Sequence, residues 1–162
     1  MTTIRLETTI KADIQVCFDL ARSIDLHKIS TARTNENAIA GVTSGLVNTN
    51  DFVTWEAVHF GLKQRLTSKI SIVEPYFHFR DEQLKGAFKY FIHDHYFKTD
   101  NGIVTMTDIF EFSSPFGIIG KLFDKMVLTN YMKKFLTERN QFIKEFAESE
   151  KWKLILKDGT RF

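Results

Sequence analysis

From about residue 36 to residue 113 the chain reads as strand after strand, with short connections between them. DFVTWEAVHF (51–60) alternates until Gly61 breaks it, and LKQRLTSKISIVE (62–74) then runs to Pro75. YFHFRDEQ (76–83) leads to a turn at Lys85-Gly86. FKYFIHDHYFKT (88–99) ends at Asp100-Asn101-Gly102, a strong hairpin signal, and IVTMTDIFEF (103–112) follows. ENAIAG (36–41) adds a shorter candidate. A period of two with short links predicts an antiparallel meander.

A single sheet with one apolar face needs a cover. The elements on either side supply it. Ile4, Leu6, Thr8 and Ile10 alternate with Arg5, Glu7, Thr9 and Lys11, which predicts a half-buried first strand. Residues 13–22 switch to helical spacing, with Ile14, Cys17, Phe18 and Ala21 on one stripe and Asp13 at its positive end. A second short helix is expected over about 24–31.

After residue 113 the period changes again. Ser114 is the expected N-cap and Pro115 the expected first residue of a helical stretch reaching Glu148. Its later part sets Leu128, Met132, Phe135, Phe142 and Phe146 against Lys133, Lys134, Glu138, Lys144 and Glu145. Its first turns, Phe116 to Leu128, are apolar almost all round. That segment must therefore be buried on most sides, bend, or touch something else. The expected class is α+β: a curved antiparallel sheet of about seven strands around a long C-terminal helix, with two short helices after the first strand.

Composition narrows the function. The chain has 162 residues, two prolines and no low-complexity linker, so one domain is expected over 1–149, followed by a tail at 150–162. Twenty-two basic against 20 acidic residues give a net charge of +2 without a basic stripe, so no nucleic-acid partner is expected. Cys17 is the single cysteine, which excludes an internal disulfide and fits a reducing compartment. Neither a secretory leader pattern nor a membrane-length apolar window is present, so a cytoplasmic protein without stable membrane insertion is expected.

The chain resembles the START/polyketide-cyclase superfamily (SRPBCC, helix-grip fold), and within it the bacterial branch labelled cell-division-inhibitor-like. The resemblance spans about residues 2–148. It rests on the first strand and helix, on TWEAVHFG (54–61), LTSKI (66–70), DEQLKGAFKYFIHDHYF (81–97) and MTDIFEFSSPFGIIGKLFD (106–124), and on ERNQFIKEFAE (138–148). None of these is a catalytic signature. What the resemblance implies is the fold and an internal cavity for hydrophobic ligands.

Strand parity nominates the cavity wall. Val53, Trp55, Ala57 and His59 share one face, as do Phe77, Phe79, Asp81 and Gln83. Phe91, His93, His95 and Phe97 form a third set, and Val104, Met106, Asp108, Phe110 and Phe112 a fourth. His59, Asp81, His93, His95 and Asp108 are then the polar groups of an otherwise apolar concavity. Trp55, Phe79, Phe91, Met106, Phe110, Leu122 and Met126 are its expected apolar wall.

Three roles compete for the polar set. A hydrogen-bonded network needs no function at all. Orientation of a ligand's polar end is compatible with that network. Metal binding ranks below both, because His-x-His is short and no second His or Cys pair stands at ligand spacing, so no metal or cofactor is expected. No nucleophile–base constellation is evident, which argues against an enzyme. A small hydrophobic or amphipathic ligand is the favoured partner. A cyclase, dehydratase or isomerase using a His–Asp pair is the alternative, and a partner-binding module with a vestigial pocket is a third. The segment FGIIGKLF reads as the buried start of the long helix or as a lip at the cavity mouth. The tail reads as an extra strand, a homodimer contact or an extension of the helix.

Overall fold

The computed structural model describes residues 1–156. Seven strands form one antiparallel sheet: β1 Thr2–Ile10, β2 Asn37–Gly41, β3 Phe52–His59, β4 Leu62–Glu74, β5 His78–Lys85, β6 Tyr90–Asp100 and β7 Ile103–Ser113. Their order is β1-β7-β6-β5-β4-β3-β2, so the chain returns to pair its last strand with its first. Tight turns make the meander. Asn101 and Gly102 both take positive φ (49° and 77°) between β6 and β7, and Phe60 and Gly61 do the same (54° and 73°) between β3 and β4. Register shifts within β4, opposite β5, and within β2 mark bulges that increase the bend of the sheet.

The concave face is filled from both ends of the chain. Asp13 accepts a hydrogen bond from the Gln15 amide at 2.7 Å and caps α1, Ile14–Ala21. Phe18 of α1 is fully buried and meets Tyr76, Phe79 and Phe97 edge-on. Burial of such a side chain stabilises the fold by about 1.5–3 kcal/mol. Ser23 caps α2, Ile24–Ser30. The C-terminal helical stretch has three parts: α3 Gly117–Phe123, one wide π-type turn Asp124–Leu128, and α4 Thr129–Ala147. Leu136, Ile143 and Ala147 of α4 are buried against the sheet and α1.

Two expectations are corrected, and the alternatives left open for the start of the long helix are narrowed. The helix begins at Gly117, not Pro115, because Phe116 takes a left-handed φ of 72°. Ser114 instead turns its amide and hydroxyl to the Asp124 carboxylate, at 3.0 and 2.5 Å. Phe77 lies in the turn before β5, outside the strand whose parity assigned it inward, and its side chain is exposed. The first turns of the helix are not buried: Ile118 is 84% exposed and Phe116 83%. The stretch bends at the wide turn and leaves an apolar ridge at the surface. In the tail, α5 (Trp152–Ile155) is a short helix whose Trp152, Ile155 and Leu156 pack on the core. The tail's remaining residues, 157–162, lie outside the described residues.

Candidate functional site: a cavity with two polar stations

Sheet and helix do not close on each other completely. Between them lies a cavity of about 730 Å³. Strand residues of one parity face it, as the pleat requires: Val53, Trp55, Ala57 and His59 on β3, Phe79 and Asp81 on β5, Phe91, His93 and His95 on β6, and Phe110 on β7. Leu128, Met132, Phe135, Leu136 and Arg139 face it from the helix side. Exposed Phe60, Leu62, Phe116 and Ile119 also line it and therefore form its rim.

The first polar station is set by register. Asp81 stands opposite His93 across β5 and β6, and His95 stands opposite Asp108 across β6 and β7. His93 Nε2 donates to Asp108 Oδ1 at 3.0 Å, and His95 Nε2 donates to Asp81 Oδ1 at 3.2 Å. His95 Nδ1 also lies 2.8 Å from Asp108 Oδ1, near enough for charge attraction but off the N–H line, so it has no hydrogen-bond partner among the described residues. Asn140 Nδ2 donates to Asp108 Oδ2 at 2.6 Å, and Arg139 Nη1 sits 3.8 Å from Asp108 Oδ1.

Burial alone would push the Asp108 carboxyl up, but the imidazole partners outweigh it and hold Asp108 well below the usual carboxylate range. Asp81 is lowered by the same contest. The two rings are driven apart. Burial, aided by the neighbouring His95, lowers the pKa of His93. Burial also opposes a charged His95, yet Asp108 and Asp81 together raise its pKa. His93 is thereby made the weaker base of the two rings and His95 the stronger.

The second station is built from residues far apart in sequence. His27 of α2 meets Glu36 Oε2 at 2.6 Å through Nε2, and its ring lies 4.2 Å from that of Trp55. His59 Nε2 is 3.5 Å from Glu36 Oε1, and its Nδ1 is 2.7 Å from the Tyr131 hydroxyl of α4. Burial pushes Glu36 up, but the hydrogen bonds to both imidazoles bring it down to about 2. It is an anion at any ordinary pH, so the nitrogens facing it carry the protons. His59 Nδ1 and the Tyr131 hydroxyl share the remaining hydrogen bond.

Eight of the twelve residues nominated from sequence line the cavity: Trp55, His59, Phe79, Asp81, Phe91, His93, His95 and Phe110. Four do not. Met106 is fully buried in the core beside Phe97 and Ile143. Asp108 lies behind the two imidazoles rather than at the surface of the cavity. Leu122 and Met126 face outward, 57% and 65% exposed. The wide turn explains Met126, while Leu122 precedes it on the exposed ridge of α3. The inward face runs through Phe116, Ile119 and Phe123 and resumes one residue late at Leu128, then Met132, Phe135 and Arg139.

Sequence reasoning misses His27, Glu36, Tyr131, Arg139 and Asn140. The last two carry a signal, since spacing from Phe135 and Leu136 puts both inside the apolar stripe of α4. His27 and Glu36 carry none, because nothing in a short helix and a short strand announces that they meet. Metal ranks last on sequence grounds, but the structure brings one donor atom each from Asp81, His93 and His95 within 4.8 Å of one another.

Solved structures share this architecture. A protein of Thermus thermophilus superposes with a TM-score of 0.69 at 16% identity, over 88% of this chain and 97% of its own. A START superfamily protein of Mycobacterium smegmatis gives 0.68 at 8% identity, over 88% and 97%. The major latex-like protein 151 of Panax ginseng gives 0.67 at 15%, over 91% and 98%. No family model matches the sequence, and no curated protein does. At these identities the likeness is one of fold. The chain has the helix-grip fold of START-type proteins. No helix among the described residues is long and apolar enough to cross a membrane.

Proposed function

We propose that the protein binds one small hydrophobic or amphipathic molecule in the cavity between sheet and helix, as a cytoplasmic member of the bacterial branch its motifs resemble. The observation that carries this reading is the cavity itself. Its volume of about 730 Å³ lies within the range of small-molecule sites, roughly 300–1,000 Å³, whereas protein interiors are ordinarily close-packed. The wall is mostly apolar, and its histidines and acidic groups converge on it at two places. A ligand's apolar body fits Trp55, Phe79, Phe91, Phe110 and Leu136, while a carbonyl, hydroxyl or carboxyl group meets the imidazoles or Tyr131. The exposed ridge Phe116–Phe123 forms the lip over which the ligand passes.

The test is native mass spectrometry of freshly expressed protein, followed by addition of fatty acids, fatty alcohols and aromatic acids of graded length. The reading expects a single 1:1 adduct with at least one class. Bare chain throughout the series contradicts it.

The paired imidazoles and carboxylates in the same wall favour one second reading, acid–base chemistry of the cyclase, dehydratase or isomerase kind. It requires turnover of a polyketide-like or aromatic substrate that is lost in a folded His93→Ala protein and in a folded His95→Ala protein.

A further inference from the structure

We infer that Asp81, His93 and His95 form a divalent-metal site, zinc being the fitting ion, with Asp108 as the carboxylate behind them. The inference goes beyond ligand holding and does not depend on it.

The far nitrogen of each ring faces one oxygen, Asp108 Oδ1, at 3.0 Å from His93 Nε2 and 2.8 Å from His95 Nδ1. The near nitrogens, His93 Nδ1 and His95 Nε2, are consequently turned toward Asp81 Oδ1, at 3.9 and 3.2 Å. Zinc bonds of about 2.0–2.2 Å at tetrahedral angles put ligand atoms about 3.4 Å apart. These separations bracket that figure, so a small adjustment of the half-buried Asp81 completes the set. A carboxylate behind a metal-bound imidazole fixes its tautomer and ring orientation. Here Asp108 is hydrogen-bonded to His93 in that position and stands 2.8 Å from the Nδ1 of His95, unpartnered among the described residues.

The rings are also held in place. His95 stacks on Phe79 at 4.1 Å, and His93 meets Phe110 edge-on at 5.2 Å. The three donors lie on the cavity wall, whereas Asp108 does not. A fourth coordination position therefore opens onto the cavity, where water or a ligand oxygen completes the shell.

Tag-free protein, stripped with a chelator and then titrated with Zn²⁺ or Co²⁺ alone, tests the site. One ion per chain is expected, with low-micromolar or tighter affinity, a rise in melting temperature, and two imidazoles plus oxygen in the X-ray absorption spectrum. Asp81→Asn and His95→Gln should each weaken uptake at least about tenfold, and Asp108→Asn by ~10–100-fold. His78→Gln, on the opposite face of the sheet beside Asp94, should bind as the wild type does. Circular dichroism of the stripped variants controls for folding. Absence of stoichiometric uptake by wild type overturns the inference, as does equal uptake by folded Asp81→Asn and His95→Gln. A first shell without two imidazoles overturns it independently of any variant. Because the probe is the metal alone, failure here leaves the apolar-ligand reading standing.

Discussion

Asn140 Nδ2 reaches Asp108 Oδ2 at 2.6 Å, and this one bond ties the long helix to a carboxylate that no solvent touches. Asp108 Oδ1 is already engaged by His93, so Asn140 satisfies the oxygen left over. Asn140→Leu keeps the volume and removes the donor. The expected cost is about 2–4 kcal/mol, read from urea unfolding, because a buried charge loses a partner. A change below about 0.5 kcal/mol, the ordinary scatter of neutral substitutions, contradicts that role.

Glu36 gives the protein a defined acid limb. Its pKa is 4.5 in the unfolded reference and about 2 in the folded chain. A group depressed on folding contributes stability that is complete above its unfolded pKa and lost as pH falls toward its folded one. Wild type should therefore lose about 3 kcal/mol between pH 4.5 and 2 that Glu36→Gln never had to lose. Unfolding free energies measured down that range should converge for the two proteins. Curves that stay parallel refute the assignment.

Gly120 has no room for a side chain. A Cβ there would stand 1.9 Å from the Pro115 carbonyl oxygen, which is backbone and cannot swing away. Gly120→Ala must push α3 off the end of β7 and displace the lip. About 1–3 kcal/mol of destabilisation is expected from overpacking, together with altered association and release rates for an apolar probe. Rates and melting temperature unchanged from wild type would show that the close approach is unimportant.

Cys17 lies on the buried stripe of α1, and its thiol is pushed up to about 12, chiefly by burial and secondarily by the Asp13 charge. Thiolate is the reactive form, so an aromatic disulfide reagent should modify native protein only as fast as the chain opens. Instant reaction in denaturant and slow reaction without it is the expected pair. Fast native modification would mean the residue is not where the fold puts it.

The sheet and most of the cavity wall are legible in the sequence because a period of two is a local property. His93 and His95 share a face whatever they pair with, and the positive-φ turn at Asn101-Gly102 fixes where β6 reverses. What escapes reading depends on a backbone irregularity or on distance along the chain. The wide turn at Asp124–Leu128 shifts the helix face by one residue, so Met126 points to solvent although its neighbours suggest a wall, and Leu122 lies on the exposed ridge before that turn. Met106 carries the right parity but sits deeper, between sheet and α4. The Glu36 station joins α2, β2's approach, β3 and α4, and no short window contains it.

Whether the space under α4 is open to an apolar molecule decides the binding site, and Ala57 offers the direct measurement. Its side chain lines the cavity from the middle of β3, so Ala57→Trp fills that space. Calorimetric titration with an apolar fluorophore should give 1:1 binding and a negative heat-capacity change in wild type. The same titration should show no saturable binding in an Ala57→Trp protein with wild-type circular dichroism. Equal affinity in the two proteins would place the bound molecule elsewhere and contradict the cavity as the binding site.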